Sequence, residues 1–301
     1  MKELAFDDLQ LFARVAELGT LSAVARERDA PVSQVSRSLA RIEKTCGARL
    51  IHRSTHGLSL TPEGAIFLDY CQRLCGTLDE LEGEFASKSR EASGLVRVAV
   101  SSVIAQYQLL PSLQGLVQRH PQLRLALEVS DRLVDMARDG IDIAIRTSVN
   151  LPETAVARRI GTLGRALYAT PGYLASAGTP THPDDLRQHR LITNSAVTQL
   201  NHWPFLSDGK RTVVVADGQL RANDTNMVAS MTLEGLGIAR LSTISAVPLV
   251  RQKRLVPVLA DHIDPQPMPI YVVTAGARHR LPKIKACIDY WADWFKRHGN
   301  A

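Results

Sequence analysis

Residues 61–90 divide this chain into two unlike parts. Thr61 can cap a helix, Pro62 suits the first helical turn, and Glu63 places an acid beside the positive end of the helix dipole. After Pro62 only glycines interrupt the helix-forming residues, so a single helix over 62–90 is predicted. At about 1.5 Å per residue this helix is roughly 40 Å long, which exceeds the usual length in a globular domain.

Apolar side chains recur along this helix at alternating spacings of four and three residues. This seam consists of Phe67, Cys71, Leu74, Leu78, Leu81 and Phe85. A heptad-like seam without a local core to cover it predicts dimerisation through a second copy of the helix. A helix that lies on its own domain has the same spacing, so that alternative stays open.

The residues before this helix predict three short helices and a pair of strands. Gly19 and Gly47 end the first and third helices, and Thr20 can cap the second. Pro31 suits the first turn of the third helix. The polar face of this helix carries Ser33, Gln34, Ser36, Arg37, Arg41 and Lys44. Because the major groove of DNA admits one such helix, the second and third helices are predicted to form a helix-turn-helix. A merely solvated polar face is the alternative.

Beyond Gly94 the pattern changes to alternating strands and helices. Strands are predicted at 96–100, 123–129 and 141–145, with a helix over 106–120 and a short helix over Leu133–Asp139 between them. This βαβαβ order predicts a parallel sheet with helices on its faces. The alternation resumes over 164–261, and an amphipathic helix near 283–296 closes the chain.

Composition limits the classes of protein that fit. The chain has 301 residues, which is enough for two or three domains, and no apolar run of eighteen residues that would span a membrane. Its four cysteines are too few and too scattered for a disulfide framework or a zinc site. Acids near the N-terminus stand where a signal peptide needs an apolar segment, so a cytoplasmic protein is expected.

Charge alone does not identify a nucleic-acid-binding end. The chain carries a net charge of +6, but residues 1–90 hold twelve basic and thirteen acidic residues, whereas residues 91–301 hold 24 and 17. A local excess is found at 30–60, which contains five basic residues and one acid. Arginines in this segment, including Arg53 in the strand pair, are suited to contact the phosphate backbone.

These residues together resemble the LysR-type transcriptional regulators, and the similarity covers nearly the whole chain. The blocks that carry it include Leu9-x-x-Phe12-x-x-Val15-Ala16, Val35-Ser36-Arg37-x-Leu39-x-x-Ile42-Glu43, Leu60-Thr61-Pro62-Glu63-Gly64 and Gly140-x-Asp142-x-Ala144-Ile145-Arg146. The chain departs from the family at Pro31-Val32, where relatives usually have Ser-Gln. Because a common base-reading glutamine is missing, the operator sequence cannot be transferred from relatives.

The resemblance implies a multi-domain architecture. It consists of an all-α winged helix-turn-helix domain (residues 1–61), a long linker helix for dimerisation (62–91), and a two-lobed α/β effector domain like a periplasmic binding protein (92–301). Lobe I would comprise 92–163 and 267–301, and lobe II 164–266. Double-stranded promoter or operator DNA would be read by Ser33, Gln34, Ser36, Arg37 and Arg41, with Arg53 in the wing. Tetramers are usual in the family, and RNA polymerase is a further expected partner.

The resemblance also implies a small-molecule effector in the cleft between the lobes. The residues expected to bind it are Ser101, Ser102, Arg146, Thr147, Asn194 and Ser195. Elementary physics favours this location, because ligands of open α/β sheets bind at the carboxyl ends of strands, beside the free N–H groups of helix N-termini. Arg146 predicts an organic anion, although a structural ion pair is an equal alternative.

Two other classes of protein fit the alternation of strands and helices. A transport-type solute-binding protein would share the two lobes, but this class does not explain the N-terminal helix-turn-helix. An enzyme would need an acid–base or nucleophile constellation, and the sequence has none, so a non-enzyme is expected. No cofactor is expected either, since Gly235-x-Gly237 lacks the third glycine of a dinucleotide fingerprint. No metal is expected, because His182 and His189 have no second pair of ligands in the sequence.

Overall fold

The computed structural model describes residues 4–54, 57–86, 92–136, 139–147, 155–207, 209–264 and 267–299. The chain divides into two compact units, one formed mainly by residues 1–90 and the other by most of residues 91–301. No helix in these described ranges has the length and hydropathy needed to cross a bilayer.

The first unit is helical with one strand pair. Its elements are α1 (Phe6–Leu18), α2 (Leu21–Glu27), α3 (Val32–Cys46), β1 (Ile51–Ser54), β2 (Gly57–Leu60) and α4 (Pro62–Ala86). Strands β1 and β2 pair antiparallel as a wing. The core of this unit comprises Leu11, Phe12, Val15, Val24, Ala25, Val35, Leu39, Ile42, Leu50, Ile51 and Cys71. The predicted winged helix-turn-helix arrangement is therefore confirmed.

Local sequence signals explain where these helices begin and end. The Thr20 hydroxyl accepts a hydrogen bond from the Ala23 N–H at 3.3 Å and caps α2, as predicted. Gly19 and Gly47 end α1 and α3 in the left-handed conformation, with φ of 66° and 68°, which a residue with a Cβ adopts at a cost. Helix α1 is capped at Ala5, whose N–H donates to the Asp8 carboxylate at 3.0 Å.

Thr61 fixes the start of α4 to the two residues just before the wing and caps the helix. Thr61 donates its hydroxyl to the Arg49 carbonyl at 2.8 Å and its N–H to the Leu50 carbonyl at 3.0 Å. The same hydroxyl accepts the Gly64 N–H at 2.9 Å and caps the helix. A Cβ at Gly64 would lie 1.9 Å from the Leu50 carbonyl oxygen, so only glycine permits this close approach.

Two residues of the predicted dimerisation seam of α4 pack within their own unit. Phe67 packs edge-to-face on Phe12 with ring centroids 4.9 Å apart, and Cys71 is fully buried in the core of its own unit. These two residues therefore cover the helical domain, which is the alternative that the sequence left open for them, and the seam as a dimer contact stays a prediction. Leu74 is half exposed, Leu78 is partly exposed, and the side chains of Leu81 and Phe85 lie outside the described part of the chain.

Lobe I of the second unit is a five-stranded mixed sheet in the order β4-β3-β5-β14-β6. Its strands are β3 (Gly94–Val100), β4 (Leu123–Val129), β5 (Ile143–Thr147), β6 (Ala155–Leu163) and β14 (Met268–Ala275). The parallel pairing of β3 with β4 and β5 is as predicted. The helical elements are α5 (Ser102–Ile104), a π turn (Ala105–Leu109), α6 (Leu110–Arg119) and α10 (Pro282–His298).

Lobe II is a second five-stranded sheet in the order β11-β8-β12-β7-β13, accompanied by the hairpin β9–β10. Its strands are β7 (Arg165–Ala169), β8 (Leu191–Asn194), β9 (His202–Ser207), β10 (Lys210–Val215), β11 (Leu220–Ala222), β12 (Ile238–Ser242) and β13 (Val256–Val258). Its helices are α7 (Pro171–Ala177), α8 (Thr225–Leu233) and α9 (Thr243–Arg251). The two-lobed α/β prediction is confirmed, but the short helix predicted over Leu133–Asp139 is wrong at 133–136, which is irregular.

Substitution of Gly64 by alanine tests the junction between α4 and the wing. We expect Gly64→Ala to destabilise the first unit by about 2–3 kcal/mol, because the added methyl group collides with the Leu50 carbonyl. Urea unfolding of the full chain, followed by circular dichroism, measures the loss. Gly172→Ala is the control, because a Cβ at Gly172 meets no atom within 4 Å; equal stability of the two variants would contradict the predicted collision.

Candidate DNA-binding surface and effector cleft

Helix α3 buries one face and exposes the other. Val35, Leu39 and Ile42 point into the core of the first unit, and this fixes which residues face outward. The residues predicted to read DNA lie on the outward side: Ser33, Gln34 and Arg37 are exposed, and Ser36 is half-buried. The Arg37 Nε donates to the Ser33 carbonyl at 3.3 Å, which holds the guanidinium along the helix surface.

Arg41, also predicted to contact DNA, has a partner within its own unit. Its guanidinium forms an ion pair with Asp8, whose side chain is only 3% exposed, whereas that of Arg41 is 55% exposed. Because a buried carboxylate needs compensation, Arg41 contributes to the packing of α1 against α3. Its DNA-binding role remains a prediction, whereas its structural role is visible in this contact.

The wing is attached to α3 through Glu43. Its Oε1 accepts the Leu50 N–H at 2.9 Å and the Ile51 N–H at 3.2 Å, so the first strand of the wing is hydrogen-bonded to the side chain of α3. Glu43 belongs to the motif that carried the family resemblance, but this role was not predicted. Arg53 lies in β1, and its side chain falls outside the described part of the chain.

The two lobes are hydrogen-bonded to each other at helix N-termini. Ser102, predicted to bind the effector, is buried and donates its hydroxyl to the Asp224 carboxylate of lobe II. Asp131 accepts the Ser102 N–H at 3.1 Å and the Thr225 N–H of lobe II at 2.6 Å, so one carboxylate bridges the starts of α5 and α8. Ser101 is the N-cap residue of α5 and makes no side-chain capping bond.

Asn194 and Ser195 lie where the resemblance places them, at the end of β8, but in different environments. Asn194 is buried, and its Oδ1 accepts the N–H groups of Ala196 and Val197, each at 2.8 Å. Its Nδ2 has no hydrogen-bond partner among the described residues. Ser195 is exposed, and its N–H donates to the Ala222 carbonyl at 2.8 Å.

A pocket lies beside these residues, lined by Asn194, by Thr225, and by strands and helices of lobe II, with Val103 contributed by lobe I. Arg146 and Thr147 are not among its lining residues. Arg146 lies in β5 opposite Tyr271 of β14, and burial lowers the pKa of its guanidinium. A role for Arg146 and Thr147 in effector binding therefore remains a prediction.

Two pocket arginines were missed by the sequence analysis. In the antiparallel register of β7 and β12, Arg165 pairs with Ser242 and Leu167 pairs with Arg240. Side chains of paired residues share a face, and alternate residues along a strand return to it, so Arg165, Arg240 and Ser242 project from the same side. The available signal was an arginine inside the apolar run Ile238-Ala239-Arg240-Leu241.

Cys71 of α4 behaves as a packing residue. Burial raises the pKa of the Cys71 thiol to about 12, which keeps it protonated and a poor nucleophile at neutral pH. No group of side chains suited to hold a metal ion occurs in the described ranges.

Comparison with known protein families matches both units. Residues 6–65 match the bacterial regulatory helix-turn-helix protein, lysR family, and residues 89–296 match the LysR substrate binding domain. The chain therefore belongs to the LysR family of transcriptional regulators, which combine a DNA-binding helix-turn-helix with an effector-binding domain.

Individual relatives are similar over almost their whole length. An HTH-type transcriptional repressor of Pseudomonas aeruginosa is 30% identical over 94% of this chain and 90% of its own. The full-length virulence activator AphB of Vibrio cholerae is 28% identical, with a TM-score of 0.66 over 96% of this chain and 99% of its own. CrgA, a LysR-type regulator of Neisseria meningitidis, is 25% identical, with a TM-score of 0.64 over 97% of this chain and 99% of its own.

Comparing alanine substitutions of Arg41 and Arg37 tests whether Arg41, but not Arg37, contributes to the stability of the first unit. We expect Arg41→Ala to destabilise the first unit by about 1–2 kcal/mol, because it leaves the buried Asp8 carboxylate without its cation while solvent screens part of the loss. Arg37→Ala, which removes the same charge from the same helix, should change stability by no more than about 0.5 kcal/mol. Urea unfolding measures both, and equal losses would contradict the assignment.

Proposed function

We propose that this protein is a sequence-specific, ligand-controlled regulator of transcription that binds double-stranded promoter or operator DNA. The observation that supports this best is the exposed polar face of α3, with Ser33, Gln34 and Arg37 at its N-terminal end. Residues near the start of a recognition helix are those that reach base edges in the major groove. In this proposal Arg53 of the wing and Arg41 contact the adjacent phosphate backbone.

The domain limits follow from the same proposal. Residues 1–61 bind DNA, residues 62–91 link and dimerise, and residues 92–301 bind the effector. The protein works in the cytoplasm, where promoter DNA and RNA polymerase are found. The effector shifts the equilibrium between arrangements of an oligomer, which requires different affinities for those arrangements.

A binding protein or an enzyme that uses the cleft alone is less well supported. Neither class accounts for an exposed, polar-faced third helix attached to a wing by Glu43. The curated relatives described above are named as regulators of transcription, not as enzymes or transport proteins.

The DNA-binding proposal is tested on Arg37. We expect Arg37→Ala to weaken binding to the DNA upstream of the protein's own gene by about tenfold to a hundredfold, the range for loss of one bidentate base contact. Fluorescence anisotropy across a salt series measures affinity and its salt dependence. Arg124→Ala is the matched control, because Arg124 is an exposed arginine of the second unit. Wild-type affinity in Arg37→Ala at every salt concentration would refute the role of α3.

Dimerisation is proposed to use an exposed stripe of α4 that keeps Leu74 from the predicted seam but replaces Phe67 and Cys71, which pack within their own unit. Ile66, Tyr70 and Leu74 are 63%, 52% and 50% exposed and recur every four residues, so they form one apolar stripe on the solvent side of the helix. Arg73 lies over the Tyr70 ring at 4.8 Å and pairs with Asp69, which flanks the stripe with charge. An exposed apolar stripe of this kind is suited to pack against its own copy.

A charge placed on the stripe tests this proposal. We expect Leu74→Glu to convert the oligomer to a smaller species at micromolar concentration, because two glutamates would be buried against each other. Sedimentation velocity measures the mass. Ala65→Glu is the control, because Ala65 is exposed about 140° around the helix from Tyr70. An unchanged mass in Leu74→Glu would exclude this face as the interface.

A further inference from the structure

The lobe II pocket collects hydrogen-bond donors that have no acceptor. In the described part of the chain, six buried side-chain polar atoms lack a hydrogen-bond partner. Four of them belong to lining residues of this one pocket: Arg165 Nε, Asn194 Nδ2, Thr225 Oγ1 and Arg240 Nε. The three nitrogens can only donate, and the hydroxyl can donate as well. Because an unsatisfied buried donor costs about 1–3 kcal/mol, such a cluster indicates that an acceptor is missing.

Charge points to the kind of acceptor. Among the described residues, neither Arg165 nor Arg240 forms an ion pair with a carboxylate. Burial, followed by the positive charge of Arg240, lowers the pKa of Arg165 to about 10, and burial lowers the pKa of Arg240 as well. Both guanidiniums remain protonated at neutral pH, so two like charges share a desolvated site.

Asp131 acts on Arg165 through its charge and raises the pKa of that guanidinium, but its two carboxylate oxygens accept other bonds. They receive the N–H groups of Ser102 and Thr225 at 3.1 and 2.6 Å. Arg240 donates to the neutral carbonyl of His202 at 3.5 Å. The chain therefore supplies one carboxylate that acts on Arg165, and the oxygens of that carboxylate are committed to holding the lobes together.

We propose that this pocket binds the carboxylate group of a small organic acid, with Arg165 and Arg240 as its charge partners and Asn194 and Thr225 as neutral donors. The proposal rests on the proposed function, because it specifies the effector class of the same cleft. Charge-assisted bonds from guanidinium to carboxylate are among the stronger hydrogen bonds in proteins. Ile192, Leu200 and Trp203 add apolar lining that suits the carbon part of such an acid.

The size of the pocket limits what enters it. The enclosed space is about 20 Å³, within about 400 Å³ of atom-free space that includes the open mouth. A single water needs roughly 10–15 Å³ of such space, so the inner space has room for about one carboxylate oxygen, and the rest of the acid extends toward the mouth. Val103 of lobe I lines the pocket beside the residues of lobe II, so a bound ligand contacts both lobes.

The test uses the full-length protein and matched pairs of probes. Acetate and benzoate are compared with acetamide and benzamide, which keep the shape and lack the charge, and with chloride and phosphate at equal ionic strength. We expect the two carboxylates to bind saturably and to raise the Tm by about 3–6 °C at tenfold excess over Kd, because they bind the native state. The amides and the inorganic ions should give no saturable shift.

Variants assign the binding to the pocket. Arg165→Met and Arg240→Met should each weaken benzoate binding at least tenfold, and Arg165→Lys should keep part of the wild-type affinity. The control is Arg254→Gln, at an exposed arginine of lobe II, which should leave benzoate binding unchanged. Without an anion, Arg165→Met should melt at the same or a higher temperature than wild type, because it removes a buried like-charge repulsion. A lower Tm of Arg165→Met without anion, together with unchanged benzoate binding, would show a structural arginine and overturn the proposal.

DNA binding measured in parallel separates this proposal from the general function. Carboxylate binding that is lost in Arg165→Met, in a protein that still binds its promoter fragment, supports the pocket. A neutral probe that alters DNA affinity while no carboxylate binds would overturn the pocket assignment and leave the regulator intact. Saturable binding of chloride or phosphate only would likewise overturn the assignment to a carboxylate.

Discussion

Helix α3 can bury only one stripe of its surface, and the DNA-binding surface depends on that constraint. Once Val35, Leu39 and Ile42 are in the core, Ser33, Gln34 and Arg37 have no place except solvent. The wing is then set by Glu43, which binds two backbone N–H groups next to the start of β1. Packing energy and backbone hydrogen bonding thus orient a surface whose own residues contribute little to stability.

Much of this arrangement could be predicted from the sequence because it rests on local rules. Thr20, Gly19 and Gly47 mark helix ends through cap geometry that each residue specifies by itself. The sequence could not tell which residues of the α4 seam pack within their own unit. Periodicity shows that residues share a face of a helix, but it does not show what covers that face. Phe12, 55 residues upstream of Phe67, covers the first part. Arg41 and Arg37 are likewise equivalent in sequence, and only the position of Asp8 distinguishes them.

The lining of the lobe II pocket was predicted less completely for the same reason. Ser102 and Asn194 were placed by the rule that ligands bind at the carboxyl ends of strands, and the structure puts Asn194 at the pocket. Arg165 and Arg240 come together through the antiparallel register of β7 and β12, which joins residues 75 positions apart. No local pattern encodes that register. Arg240 could therefore be noticed as an arginine in an apolar strand, but its proximity to Arg165 could not be predicted.

Buried charges in this chain are compensated in one place and not in another, and this contrast supports the ligand-binding role proposed for the pocket. In the first unit, the buried Asp8 carboxylate accepts bonds from Arg41 and from the Ala5 N–H, so its desolvation is offset within the fold. In lobe II, Arg165 and Arg240 are desolvated without a comparable partner in the described part of the chain. A fold that pairs one buried charge with an ion partner, and leaves two others at a pocket without one in the described part of the chain, is suited to a partner that arrives from outside. Because Val103 of the opposite lobe lines that pocket, the free energy of satisfying these donors is available to shift the lobes.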